Sequence, residues 1–180
     1  GLFDGLQAGT TTYDDKVEES LKSYLGKAQE TAVTNYYKEQ ITAGYNNKYF
    51  SDADHKVFTQ EGKDALIAAG KYNDVMTDDD VAKAIASLVS TKVSAAMASD
   101  TVKNEIAVAV TAGVTAGTIT DSASGESWNI AAPSDTFLSD TSSTRESKIL
   151  SAAQNYHATM SSVAESNSVL NALGMTAVDG

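Results

Sequence analysis

The chain contains no cysteine, one proline, one tryptophan and two histidines among its 180 residues. Without cysteine there is no disulfide framework and no thiol chemistry, and the redox compartment stays open. With so little histidine, imidazole, the commonest general base and metal ligand, is nearly absent. Basic residues are also scarce: 13 Lys and Arg stand against 24 Asp and Glu, a formal charge of −11. Residues 1–80 hold 8 basic and 15 acidic side chains and residues 81–180 hold 5 and 9, so averaging hides no basic domain. A phosphate backbone is bound by clustered Lys and Arg, and no basic residue occurs between Asn104 and Thr144. The reading is therefore no direct nucleic acid binding.

Long apolar runs are missing too. The longest run free of Asp, Glu, Lys, Arg and His, Ile106–Thr120, has 15 residues, short of the about 18–20 that a membrane span needs. The opening Gly1-Leu2-Phe3-Asp4-Gly5-Leu6 lacks the positive flank and long apolar stretch of a signal peptide. Neither a membrane span nor a signal peptide is expected.

What the chain has in quantity is Ala, Ser and Thr, 66 residues together, within a hydrophobic fraction of 42%. That is the composition of a folded protein. The expected fold is mainly α: two long terminal helices, about 13–43 and 144–173, packed as a pair, with a smaller helical middle region and a short β-hairpin at about 118–130. The whole chain reads as a single domain, 1–180, in which the terminal helices form the rod and 45–143 an inserted head region.

The first helix has Thr12 or Asp14 as candidate caps, acids in its first turns and Gly44 as its stop. Its apolar positions form one stripe of Val17, Leu21, Leu25, Ala28, Ala32 and Tyr36, and a second of Val33, Tyr37 and Ile41. The last helix, with Ser143 as candidate cap, spaces Ile149, Ala153, Tyr156, Met160, Val163, Asn167 and Leu170 by threes and fours. This is a coiled-coil-like seam with one Asn to set register.

Between the rods, 45–52 reads as a turn-rich connector and Thr59–Ala69 as a short helix stopped by Gly70. Thr77 with Asp80 forms a near capping box for a helix of 78–99. Asp100 opens a segment to Ala116 in which 105–111 fits helix or strand, with Gly117 as its stop. Two four-residue stretches flank a Ser-Ala-Ser-Gly turn, and 131–143 is a loop.

Chemical motifs are few. Asp78-Asp79-Asp80, Asp74, Asp52 and Asp54 do not reproduce calcium-loop spacing. His55 and His157 stand far apart in sequence. Gly125-Glu126-Ser127-Trp128-Asn129 lacks the final Gly of a nucleophile elbow. The spacing of Gly113 and Gly117 suits close helix packing. No catalytic residue, cofactor site or metal site is assigned.

Seven of the eight Tyr precede residue 73, and rings with a polar tip suit interfaces. The candidate interface comprises Tyr36, Tyr37, Tyr45, Tyr49, Phe50, Tyr156, Met160, Val163, Asn167 and Leu170; the competing reading of the Tyr-rich segment is a core at a helix corner. The cysteine-free, proline-poor composition with helical ends is broadly similar to that of filament subunits of the flagellin or type III secretion kind, a likeness of composition and architecture. The expected function is a non-enzymatic structural subunit of a multimeric assembly, an extracellular filament or a virion component such as a capsid, cement or connector protein. Its partners would be copies of itself or other structural proteins. The alternative is an acidic helical adaptor for a different protein; a carboxylate-dependent enzyme ranks third.

Overall fold

The computed structural model describes residues 15–172, with side chains for 16–159. The caps proposed at Thr12 and Asp14 lie outside the described residues. Among those described, the chain is mainly α-helical with one small antiparallel hairpin. In order they are α1 (Asp15–Tyr49), α2 (Gln60–Ala68), α3 (Asp78–Ala98), α4 (Asp100–Ala112), β1 (Gly117–Thr120), β2 (Ser127–Ile130), α5 (Thr136–Ser139) and α6 (Ser142–Ala172). Two compact units emerge: residues 30–139, and residues 1–29 with 140–180.

Several local signals act as the sequence suggests. Thr59 caps α2 by accepting from Gly62 N–H at 3.1 Å, and Gly70 follows it at φ +71. Thr77 and Asp80 form the capping box of α3: Asp80 N–H donates to Thr77 Oγ1 and Thr77 N–H to the Asp80 carboxylate, both at 3.1 Å. Hydrogen bonds from Thr77, first from its backbone N–H and then from its side chain, hold the Asp80 carboxyl below its ordinary value. By length and composition α3 could cross a membrane. However, three Asp occupy its first turn, and Val81, Ile85, Leu88, Val89 and Val93 are buried in the core of residues 30–139.

Three boundaries differ from expectation. First, α1 does not stop at Gly44 but runs to Tyr49, so the expected connector at 45–52 is largely helix. Burying a large side chain contributes about 1.5–3 kcal/mol, whereas a helical Gly costs about 0.5–1 kcal/mol. Tyr45 and Tyr49 are both buried, so continuing the helix gains more than Gly44 loses. The buried positions of α1 are Leu21, Leu25, Gln29, Val33, Tyr37, Ile41, Tyr45 and Tyr49. This single spacing of four replaces the two expected stripes. At 3.6 residues per turn each step of four advances the buried face about 40° around the helix.

Second, 105–111 is helical, and α4 ends at Ala112 rather than Ala116. Gly113 adopts φ +89, a conformation that only Gly accepts readily. Val114 then turns inward, 2% exposed, and donates its N–H to Leu138 O at 2.8 Å. Gly113 is thus a helix terminator and Gly117 opens β1, so their spacing is not a helix-packing motif. Ser99, not Asp100, is the N-cap.

Third, α6 begins at Ser142. Thr141 Oγ1 accepts from Thr144 N–H at 3.2 Å and Thr141 O from Arg145 N–H at 3.0 Å, so Thr141 takes the capping role expected of Ser143.

In residues 1–29 with 140–180, Leu21, Leu25, Gln29, Arg145 and Ala153 are buried. Lys22 lies 3.4 Å from both Glu18 on its own helix and Glu146 on α6. Arg145 is among the largest fully buried side chains. Burial lowers its guanidinium pKa, offset in part by the Asp140 carboxylate.

Candidate interaction surfaces

Four of the corner aromatics are core residues. Tyr37, Tyr45, Tyr49 and Phe50 are 3–5% exposed and pack with Ile41, Leu66 and Trp128 in one cluster. Tyr37, Tyr45 and Tyr49 lie on the spacing-of-four face of α1 that turns inward, and Phe50 follows the last residue of that helix. Tyr36 is half-buried and donates its hydroxyl to Ala131 O. On α6, Ala153 is buried while Ile149 is 37% and Tyr156 48% exposed. Met160, Val163, Asn167 and Leu170 belong to the α6 helix, but their side chains lie outside the described residues.

The two histidines sit in different settings. His55 occupies a tight loop at φ +56, its ring centroid 5.1 Å from that of Phe50. The loop is held by Asp52, whose carboxylate accepts from Lys56 N–H and Val57 N–H at 2.9–3.1 Å. Those bonds, chiefly the one from Val57, lower the Asp52 pKa. His157 lies on α6. Among the described residues no three His, Asp or Glu side chains come together as a metal site.

A polar cluster binds the hairpin to the helices around it. Lys92 Nζ of α3 lies 3.2 Å from Glu126 Oε1, next to the start of β2, and 5.8 Å from the Tyr45 ring centroid. Burial pushes Lys92 down, but Glu126 and Tyr49 outweigh it and the net shift is upward. Burial drives Tyr45 up to about 12, opposed by the nearby Trp128 indole N–H. That N–H is buried and closes no hydrogen bond of normal geometry. At neutral pH Lys92 is charged and Tyr45 neutral, and the Lys92–Glu126 ion pair ties the start of β2 to α3.

Beside this cluster, a groove of about 340 Å³ runs between the last turns of α1 and β2. Its walls carry Gln40, Gly44, Asn47 and Lys48 from α1 and Ser127 and Asn129 from β2, with Trp128 alongside. The volume falls at the small end of the range for ligand pockets. Lys48 is its one charged wall residue, so the groove offers amides, hydroxyls and a single cation.

A second groove of about 490 Å³ is more apolar, with Thr34, Met97, Ile106 and Val110 in its walls. Of the residues lining the two grooves, the sequence singled out only Tyr45, which borders the first, as a candidate interface residue. The only signal was strand parity in 127–130, which puts Trp128 and Ile130 on one face and Ser127 and Asn129 on the other.

The geometry therefore has to carry the functional reading unaided: no protein-family model, no curated protein and no solved structure matches this chain.

Proposed function

We propose that this protein is a non-enzymatic structural subunit of a multimeric assembly, built by helix–helix packing between copies. The assembly would be an extracellular filament or a virion component such as a capsid, cement or connector protein. One observation carries the reading. The apolar seam of α6 is covered at Ala153, yet Ile149 and Tyr156 on the same stripe stay 37% and 48% exposed.

In this reading the terminal helices pair as a rod. The Lys22–Glu146 bridge at 3.4 Å and the burial of Leu21, Leu25 and Ala153 support that pairing. The open side of the seam is then left for another copy, and Tyr24 of α1, 64% exposed, is a further apolar ring that such a copy could cover. A buried tyrosine supplies about 150–250 Å² and a specific interface about 1,200–2,000 Å². The contact must therefore extend over several turns, as the spacing of Met160, Val163, Asn167 and Leu170 suggests.

The test is sedimentation velocity and light scattering across a wide concentration range, on wild type and on an Ile149→Asp/Tyr156→Asp variant. Wild type should assemble and the variant should stay monomeric with unchanged helix content. A wild-type chain monomeric throughout would refute the reading.

A further inference from the structure

We propose that the groove between α1 and β2 takes an extended segment of a second copy of this chain, added as a third strand on the outer edge of β2. The inference rests on the self-assembly reading above and deepens it by naming a second, strand-based contact.

The hydrogen-bonding parity of the hairpin is the starting point. Asp121 N–H donates to Glu126 O at 2.8 Å, so 121 and 126 form a bonded pair. In an antiparallel ladder bonded and non-bonded pairs alternate. With the register Ile119 to Trp128 and Gly117 to Ile130, those two pairs are bonded across the hairpin. Thr118–Asn129 and Thr120–Ser127 are the non-bonded pairs. On β2, the backbone N–H and C=O of Ser127 and Asn129 therefore point away from β1, as do those of Ala131 one step further.

Ala131 shows how this edge is satisfied. Its N–H donates to Gln40 Oε1 at 3.1 Å and its C=O accepts from the Tyr36 hydroxyl. Two α1 side chains thus stand in for one residue of a missing neighbouring strand. Beyond Gln40 this substitution stops. Ser127 and Asn129 face the groove, where the α1 wall recedes to Ala43 and Gly44. A Cβ built on Gly44 would meet nothing within 4 Å, so the helix leaves room where an added strand would lie. An open strand edge is a ready template for pairing with an extended chain.

Charge and size select the occupant. Lys48 is the one charged wall residue, and the chain carries 24 Asp and Glu against 13 Lys and Arg. A second copy can bring a carboxylate to Lys48 and supply small side chains, since 66 of its residues are Ala, Ser or Thr.

Hydrogen exchange provides the test, because the hairpin contains its own control. In dilute protein the Ser127 and Asn129 amides should exchange fast, and the Trp128 and Ile130 amides, bonded to β1, slowly. In assembled protein the first two should slow by roughly tenfold or more while the second two change little. Asn129→Pro removes an outward N–H without touching a β1–β2 bond, and Gly44→Leu fills the groove from α1. Each should retain helix content and weaken self-association at least tenfold.

Unchanged exchange at Ser127 and Asn129 in assembled wild type, or both variants assembling normally, would overturn the groove proposal and leave the α6 seam reading standing. A wild-type chain that never associates would overturn both.

Discussion

Replacing Gly62 with Ala should destabilise residues 30–139, although the same exchange stabilises most helices. Gly62 is buried in the first turn of α2 against the end of α1. A Cβ there would lie 2.6 Å from Tyr49 O and 3.1 Å from Tyr49 Cα, where ordinary contact begins at 3.4 Å. Relief requires α2 to withdraw by about 0.8 Å. The same carbonyl accepts from Thr59 N–H at 2.8 Å, and a comparable retreat stretches that bond beyond hydrogen-bonding length. Overpacking costs about 1–3 kcal/mol and the weakened bond about 0.5–1.5 kcal/mol. Helix propensity returns about 0.5–1 kcal/mol. The net loss is about 1–3 kcal/mol, a drop in Tm of roughly 3–10 °C for a chain of this size.

Urea unfolding followed by the fluorescence of Trp128, which lies in the same unit, measures it. The midpoint should fall with the slope unchanged. Gly44→Ala is the control: its Cβ meets nothing within 4 Å, so it should stabilise by about 0.5–1 kcal/mol. A Gly62→Ala protein as stable as wild type would refute the close approach of α2 to α1.

Other predictions follow from the same contacts. Thr59 serves two helices, since its hydroxyl donates to Lys48 O at 2.6 Å and accepts from Gly62 N–H at 3.1 Å; Thr59→Ala should cost about 1–2 kcal/mol in urea unfolding, and Thr59→Ser should restore most of it. The Asp121 carboxylate accepts from the Ser124 and Thr101 hydroxyls at 2.8 and 2.9 Å, and these bonds lower its pKa from 3.8. A lowered folded pKa gives stability that is present above 3.8 and lost as pH falls through the folded value, so Asp121→Asn should flatten the acid limb of a stability–pH curve. At the alkaline end, Tyr45 should ionise near 12 rather than 10.0 in a tyrosinate absorbance titration. Its contribution to stability should be whole below pH 10 and disappear as pH rises towards 12, a loss that Tyr45→Phe should remove.

Much of the secondary structure was legible because its signals are local. The Thr59 cap, the Thr77–Asp80 box, the Gly70 stop and the Ser-Ala-Ser-Gly turn each depend on side chains within a few residues of the backbone they bond. Two long helices could be read from proline-free, periodic stretches for the same reason. Helix ends were harder where two glycines competed. Gly44 and Gly113 have the same intrinsic preference, yet α1 passes through one and α4 stops at the other. Tyr45 and Tyr49 gain burial by staying helical, whereas Val114 gains it by leaving the helix. That comparison is made in the core, between segments far apart in sequence.

The interaction surfaces divide the same way. The chain's acidity, its lack of thiols and its poverty in histidine and basic residues were determined by the sequence alone, because they are sums over residues. So was the periodicity of α6. Only the tertiary structure decided that the corner tyrosines face inward. It also left Ile149 and Tyr156 exposed, and placed the outer edge of β2 beside a glycine in α1. A strand edge is made of backbone, which every sequence shares, so its availability depends on which groups the rest of the fold has already bonded.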